Sequence, residues 1–177
     1  MTPKTLMTYL GGYSAALQDQ VLDLIAQNRL GEYLQNRYGE AHDIRNDKAL
    51  YQLAVALKNR FMRNTPPLDK VRYDAKLQVL RHALGTHTTV ARVQGSRLKT
   101  SREIRVASVF REAPAAFLTM ILVHELAHLK ESDHNKAFYQ LCTHMAPDYF
   151  QLELDLRLYL VFLECGRASG EKAPHAL

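Results

Sequence analysis

Cysteine is nearly absent from this chain: Cys142 and Cys165 are the only two, and neither sits in a CxxC pair. Two are too few for a disulfide framework, so a reducing, cytoplasmic setting is expected. No window reaches the roughly 18 uninterrupted apolar residues that a membrane span needs. The first residues, MTPKTLMTYLGGYSAAL, hold no apolar h-region, so neither export nor a membrane partner is expected. Tryptophan is missing altogether, and long low-complexity tracts and internal repeats are missing too. What remains is 177 residues, 47% of them hydrophobic, enough for one compact domain with a sizeable core.

Acidic residues are scarce in one place. From Arg81 to Arg111 seven cations stand against the single acid Glu103, in a chain whose formal net charge is only +5. Such a stretch is either a solvated basic surface or a site that attracts an anion: a phosphate, an acidic peptide or a nucleic acid.

The apolar pattern divides the chain. Leu17, Val21, Leu24 and Ile25 form a helical stripe behind Ser14, which stands in the capping position. A short helical piece follows from Glu32 to Tyr38 between Gly31 and Gly39, and a longer helix opens at Asp47 and runs to about Arg63, where Thr65-Pro66-Pro67 stops it. Residues 70–74, 86–93 and 103–110 are rich in β-branched side chains and partly alternate, with Gln94-Gly95-Ser96 as a turn between the last two. The expectation is a small antiparallel sheet, with 76–84 open to either strand or helix. Ala113-Pro114 starts a helix that continues to about Lys130. Further helices are expected over 135–145 and from about Tyr149 to Leu163.

Within the helix after Pro114 lies "ILVHELAHLKESDH", residues 121–134. Residues four apart share a helix face, so His124 and His128 aim their rings at one spot, half of a tetrahedral metal site. Glu125 is placed to take a proton from a metal-held water without binding the metal. Ile121, Leu122, Val123, Leu126, Ala127 and Leu129 make the helix apolar nearly all round, so it is buried, and burying such polar groups without partners is costly. By average residue usage, HExxH arises by chance in roughly half a percent of chains this long, which favours a site over coincidence. For the third ligand His134 is first choice, after five intervening residues. His144 is second and Glu153 third. Glu131 stands where the HExxHxxGxxH class has its turn glycine. His87, in a hydroxyl-rich segment, is a candidate substrate or oxyanion contact or a further ligand, and Tyr149, just after Pro147-Asp148, is a candidate contact to substrate or to a developing oxyanion. Arg105 and Arg111 are candidate substrate-binding cations. Cys142 reads as core.

The block "EIRVASVFREAPAAFLTMILVHELAHLKESDHNKAFYQLCTHMAP" resembles the YgjP family of zinc metallopeptidases. The similarity extends through "DKALYQLAVALKNRFMRNTPPLDKVRYD" and "HALGTHTTVARVQGSRLK", which is most of the chain. The family pattern HELAHL…H…F falls on His124, Glu125, His128, His134 and Phe138. The larger members carry a tryptophan-glycine-serine-cysteine stretch before the sheet, where this chain reads LGTHT at 84–88. The resemblance implies a zincin-like core with a sheet beside the HExxH helix and His134 as third ligand. Members are described as metal-dependent hydrolases or peptidases, and a uridine triphosphate pyrophosphatase activity is attached to the family name.

The fold expected is therefore a single α+β domain: a helical part to about residue 65, a zincin-like core over 66–165 and a tail over 166–177. A small, mainly antiparallel sheet packs on the HExxH helix, covered by N-terminal and C-terminal helices. The function expected is that of a zinc-dependent hydrolase of metallopeptidase type, with one zinc ion or another divalent metal. Nucleoside triphosphate pyrophosphatase chemistry at the same site is the alternative. A metal-stabilised nucleic-acid-binding module without catalysis is the rival of a different class.

Overall fold

In a computed structural model that describes residues 8–39, 41–77, 91–94, 97–100 and 102–168, the HExxH helix lies in the centre of the molecule. Three helices precede the strands: α1 (Ala15–Ala26), α2 (Leu30–Tyr38) and α3 (Asp47–Phe61). The capping position of α1 is filled by Ser14, whose Oγ accepts from Leu17 N, and that of α3 by Asn46, whose Oδ1 accepts from Ala49 N at 2.9 Å. Each satisfies one of the amides that a helix start leaves open. The strands are β1 (Lys70–Asp74), β2 (Ala91–Gln94), β3 (Arg97–Thr100) and β4 (Glu103–Ala107). After a 3₁₀ turn at Ser108–Arg111 come α4 (Ala115–Ala127), α5 (Lys136–Met145) and α6 (Tyr149–Ala168).

The fold class is α+β, as expected. The ladder beside the central helix differs in direction, because β1 and β4 pair in parallel, Lys70 opposite Glu103 through Asp74 opposite Ala107. Among the named strands β2 and β3 pair antiparallel, Ala91 opposite Thr100 through Gln94 opposite Arg97. Alternation reveals which face of a strand is buried, not which way its neighbour runs. That is set by the connection, and a parallel pair requires a long crossover. Here the crossover contains the β2–β3 pair.

Val71, Tyr73, Ile104 and Val106 point to the core from β1 and β4, against α3 and α4. The opposite face carries Arg72, Asp74, Glu103 and Arg105. There Arg72 Nε meets Glu103 Oε1 at 2.7 Å, while Arg105 reaches Asp74 and the same Glu103 oxygen, each at 3.5 Å. Burial alone raises Glu103, but the Arg72 and Arg105 guanidiniums outweigh it and hold its carboxyl below the usual range.

Helix α4 buries nine of its thirteen residues, among them Phe117, Leu118, Leu122 and Leu126. Its start is pinned by His42, which accepts from Ile44 N on Nδ1 and therefore donates from Nε2 to Phe110 O at 2.8 Å. On the far side α6 packs against α2. Gly31 is the second residue of α2, and a Cβ there would stand 2.8 Å from the Phe162 ring. Gly39 closes α2 at φ 66°. Asp155, fully buried on α6, accepts from Tyr33 Oη at 3.1 Å, from Tyr38 Oη and from Gln151 Nε2 at 3.0 Å, and pairs with Arg37 at 3.1 Å. No helix of the described residues is long and apolar enough to cross a membrane.

Two substitutions test this helix pairing. Asp155→Ala strands several donors around a buried void and should cost about 3 kcal/mol in urea unfolding. Arg37→Ala removes a half-exposed partner and should cost under about 1 kcal/mol. Equal costs would show that Asp155 does not organise the pair.

Candidate metal centre

His124 and His128 lie one turn apart at the end of α4, and the chain must then reverse to bring a third group to them. It does so by tightening. Leu129 N and Lys130 N bond the carbonyls three residues back, of Leu126 and Ala127, each at 3.0 Å, so the last turn ends in 3₁₀ geometry. Glu131 N still bonds Ala127 O, and the Glu131 side chain accepts from Asn135 Nδ2 at 3.1 Å, closing the short loop. Outside glycine, Asn28 alone among the described residues takes a left-handed φ. The return at Glu131 is thus made without the backbone that a glycine would serve. Asn135 then caps α5, its Oδ1 accepting from Phe138 N at 2.9 Å.

The result places His134 beside the other two. His124 Nε2 stands 3.1 Å from His128 Nε2 and 3.2 Å from His134 Nε2, and the three residues form one group able to hold a metal. A tetrahedral zinc with Zn–N bonds of about 2.0–2.1 Å sets its nitrogens roughly 3.3 Å apart. The donor set therefore fits a zinc-sized ion. The Nδ1 of His128 lies 2.9 Å from Glu131 O, and a carbonyl can only accept, so the proton sits on Nδ1 and the lone pair of Nε2 faces the cluster. Phe138, fully buried, lies beneath all three rings with centroids 4.4 to 5.0 Å away, fixing their tilt by packing.

Glu125 is partly buried on α4, and burial pushes its carboxyl up to about 8. Tyr149 begins α6 with its ring fully buried and its Oη 2.7 Å from His124 Nδ1. Burial, reinforced by Cys142 and Glu153, pushes its hydroxyl far above the ordinary range.

The other candidates are not in this group. His144 is exposed and meets the edge of the Phe61 ring at 5.6 Å. Glu153 is paired with Arg157 at 2.8 Å. Arg105 is held by the two acids of the strand pair, and the Arg111 guanidinium lies 4.9 Å above the Tyr73 ring. Tyr73 itself is pushed up to about 12 by burial, which the Arg111 charge opposes. His87 and Arg81 lie outside the described residues, as do the side chains of Arg92, Arg97 and Lys99. The Glu131 carbonyl, which orients His128, leaves no side-chain signal in the sequence.

A family model described as YgjP-like, metallopeptidase domain, matches residues 72–159, which include all three histidines. A UTP pyrophosphatase of Escherichia coli (strain K12) is 59% identical over 161 residues, 91% of this chain and 96% of that protein. No solved structure matches.

The ring geometry predicts which histidine matters to metal. His134→Ala should weaken zinc binding by about tenfold or more, whereas His144→Ala should leave it nearly unchanged. Competition titration with a chromogenic chelator reads both, and a loss confined to His144→Ala would overturn the assignment.

Proposed function

Since the chain belongs to the YgjP-like family, and its relative at 59% identity is a UTP pyrophosphatase, we propose that this protein is a metal-dependent hydrolase that cleaves a nucleoside triphosphate, uridine triphosphate first. The convergence of three histidine Nε2 atoms, with Glu125 following His124 on the same helix, carries the hydrolase reading. The near full-length relative carries the choice of substrate.

Zinc, or another divalent ion, supplies Lewis-acid polarisation to a water and to a substrate oxygen when it is bound. His124, His128 and His134 would hold that ion, a set of three protein ligands of the kind catalytic sites use. Glu125 takes the proton of the attacking water on its carboxylate. The water oxygen then bonds to phosphorus, the phosphoanhydride bond breaks, and pyrophosphate leaves, with the proton on Glu125 available to it. Burial of α4 on nearly every side and the Phe138 ring against the imidazoles restrain these groups, so little reorganisation accompanies the reaction.

Peptide hydrolysis is the second reading, favoured by the description of the matching family model and by the HExxH helix, which serves in peptidases. The basic stretch does not decide between them by charge alone. Arg105, one of its members, already lies against Asp74 and Glu103, which leaves it little charge to offer a phosphate.

Glu125→Gln keeps the shape but cannot accept a proton. It should retain the metal and the fold and lose about a hundredfold or more in uridine triphosphate turnover. Turnover that survives in the metal-replete variant would place the reaction elsewhere. Pyrophosphate release and casein or peptide cleavage, measured side by side on the zinc-loaded protein, separate the two substrates. Cleavage of peptide alone would replace the nucleotide reading.

Arg105→Ala and Arg111→Ala sort the basic stretch. Arg105→Ala should leave the KM for the nucleotide within about threefold and lower stability by less than about 1 kcal/mol, because it breaks partly exposed ion pairs. A KM that rises tenfold in either variant would show that the arginine meets the phosphates.

A further inference from the structure

Among the described residues three large apolar side chains are exposed, and Phe150, at 56%, is the most exposed of them, ahead of Leu22 and Tyr51. A single exposed apolar side chain is ordinary in a soluble domain. Phe150 is not single, because it is the outer end of a run of rings that begins at a metal-binding histidine. The His134 ring lies 6.3 Å from that of Tyr139, tilted by 35°. The Tyr139 ring lies 5.4 Å from that of Phe150, tilted by 33°.

The run takes its direction from the same side chains that support the metal centre. Tyr139 follows Phe138 on α5, and the two rings meet edge to face at 5.3 Å and 86°, while the other contacts of Phe138 are the three imidazoles. Tyr149 meets Tyr139 at 6.3 Å and Phe150 at 5.8 Å, and its Oη stands 2.7 Å from His124 Nδ1. Helix α6 opens just after Pro147-Asp148 with Tyr149 turned inward, so the next residue, about 100° further round the helix, is turned out to solvent. Packing on several sides restrains the rings before any ligand arrives, which lowers the ordering cost of binding to them.

Two ring faces at a shallow tilt favour a flat partner. An aliphatic side chain gains most in a concave pocket, whereas a nucleobase stacks on an aromatic face. A nucleotide carries its base one ribose away from its phosphates, and Phe150 stands one ring, that of Tyr139, away from His134. We propose that Phe150, backed by Tyr139, is the shelf on which the nucleobase of the substrate stacks while the phosphates lie at the metal centre. This rests on the nucleotide reading above and deepens it. Every base has a π-face, so the shelf adds affinity for a nucleotide over a bare polyphosphate and does little to select among bases.

The test uses the zinc-loaded full-length protein, with uridine triphosphate as substrate and inorganic triphosphate, which has no base, as competitor. Phe150→Ala should raise the KM for uridine triphosphate about tenfold or more. It should change kcat by less than about threefold, because stacking holds substrate and transition state alike. Zinc affinity and the inhibition constant of inorganic triphosphate should stay at their wild-type values. Phe150→Trp should restore the KM to within about threefold. The chain has no tryptophan, so this indole is the sole reporter, and uridine triphosphate should quench its emission saturably where inorganic triphosphate does not. An unchanged KM in Phe150→Ala, with wild type releasing pyrophosphate, overturns the shelf and leaves the nucleotide reading standing. An equal loss for inorganic triphosphate also overturns it, since Phe150 would then act through the shape of the metal centre, and so does a defect confined to peptide cleavage. Should Phe150→Ala fail to fold, the indole decides, because emission indifferent to saturating uridine triphosphate contradicts stacking. A wild type that releases no pyrophosphate overturns the nucleotide reading together with this inference.

Discussion

The Nε2 atoms of His128 and His134 stand 3.1 and 3.2 Å from that of His124, and lone pairs brought this close repel one another unless a proton or a cation lies between them. The remainder of the molecule can be understood as the means of keeping them there. Helix α4 is apolar on nearly every side because every side is covered: by α3, by β4, by α5 and by α6. An amphipathic helix would place the same two histidines at the surface, where their side chains would sample several rotamers and the group would lose its shape.

Holding the third histidine needs a reversal of the chain, and the reversal is built from hydrogen bonds rather than from a permissive residue. The tightened turn after Leu126, the carbonyl of Glu131 and the link from Asn135 to the Glu131 side chain do together what a glycine would do through backbone freedom. Glu131 thereby joins the turn to the site, because its carbonyl orients His128 while its amide finishes the helix. Phe138 supplies the floor on which all three rings rest, a packing constraint as specific as the hydrogen bonds.

Charge is placed away from this centre. Asp155 collects the polar side chains of α2 and α6 into one satisfied group, and the strand pair sets Arg72 and Arg105 against Asp74 and Glu103 on its outer face. Both arrangements compensate their charges locally.

The sequence alone was sufficient for the helix after Pro114, its burial and the HExxH pair, because these depend on periods of three and four residues along one element. It was also sufficient for strand β1, residues 70–74, and for the start of α6 at Tyr149, where apolar alternation or a proline marks the boundary. Strand direction was not legible. The β1–β4 ladder is parallel because of a crossover whose path no local pattern encodes. Gly31 reads as punctuation in the sequence, yet it lies in the first turn of α2, where Phe162 on α6, more than a hundred residues away, leaves no room for a side chain. His134 was favoured by spacing, but spacing also left His144 and Glu153 open. Only the tertiary structure brought His134 to the pair, turned His144 onto Phe61 and gave Glu153 to Arg157. The physical reason is common to all of these. Local sequence determines what a segment can be, whereas which side chains meet depends on how helices and strands distant in the chain pack to fill one core.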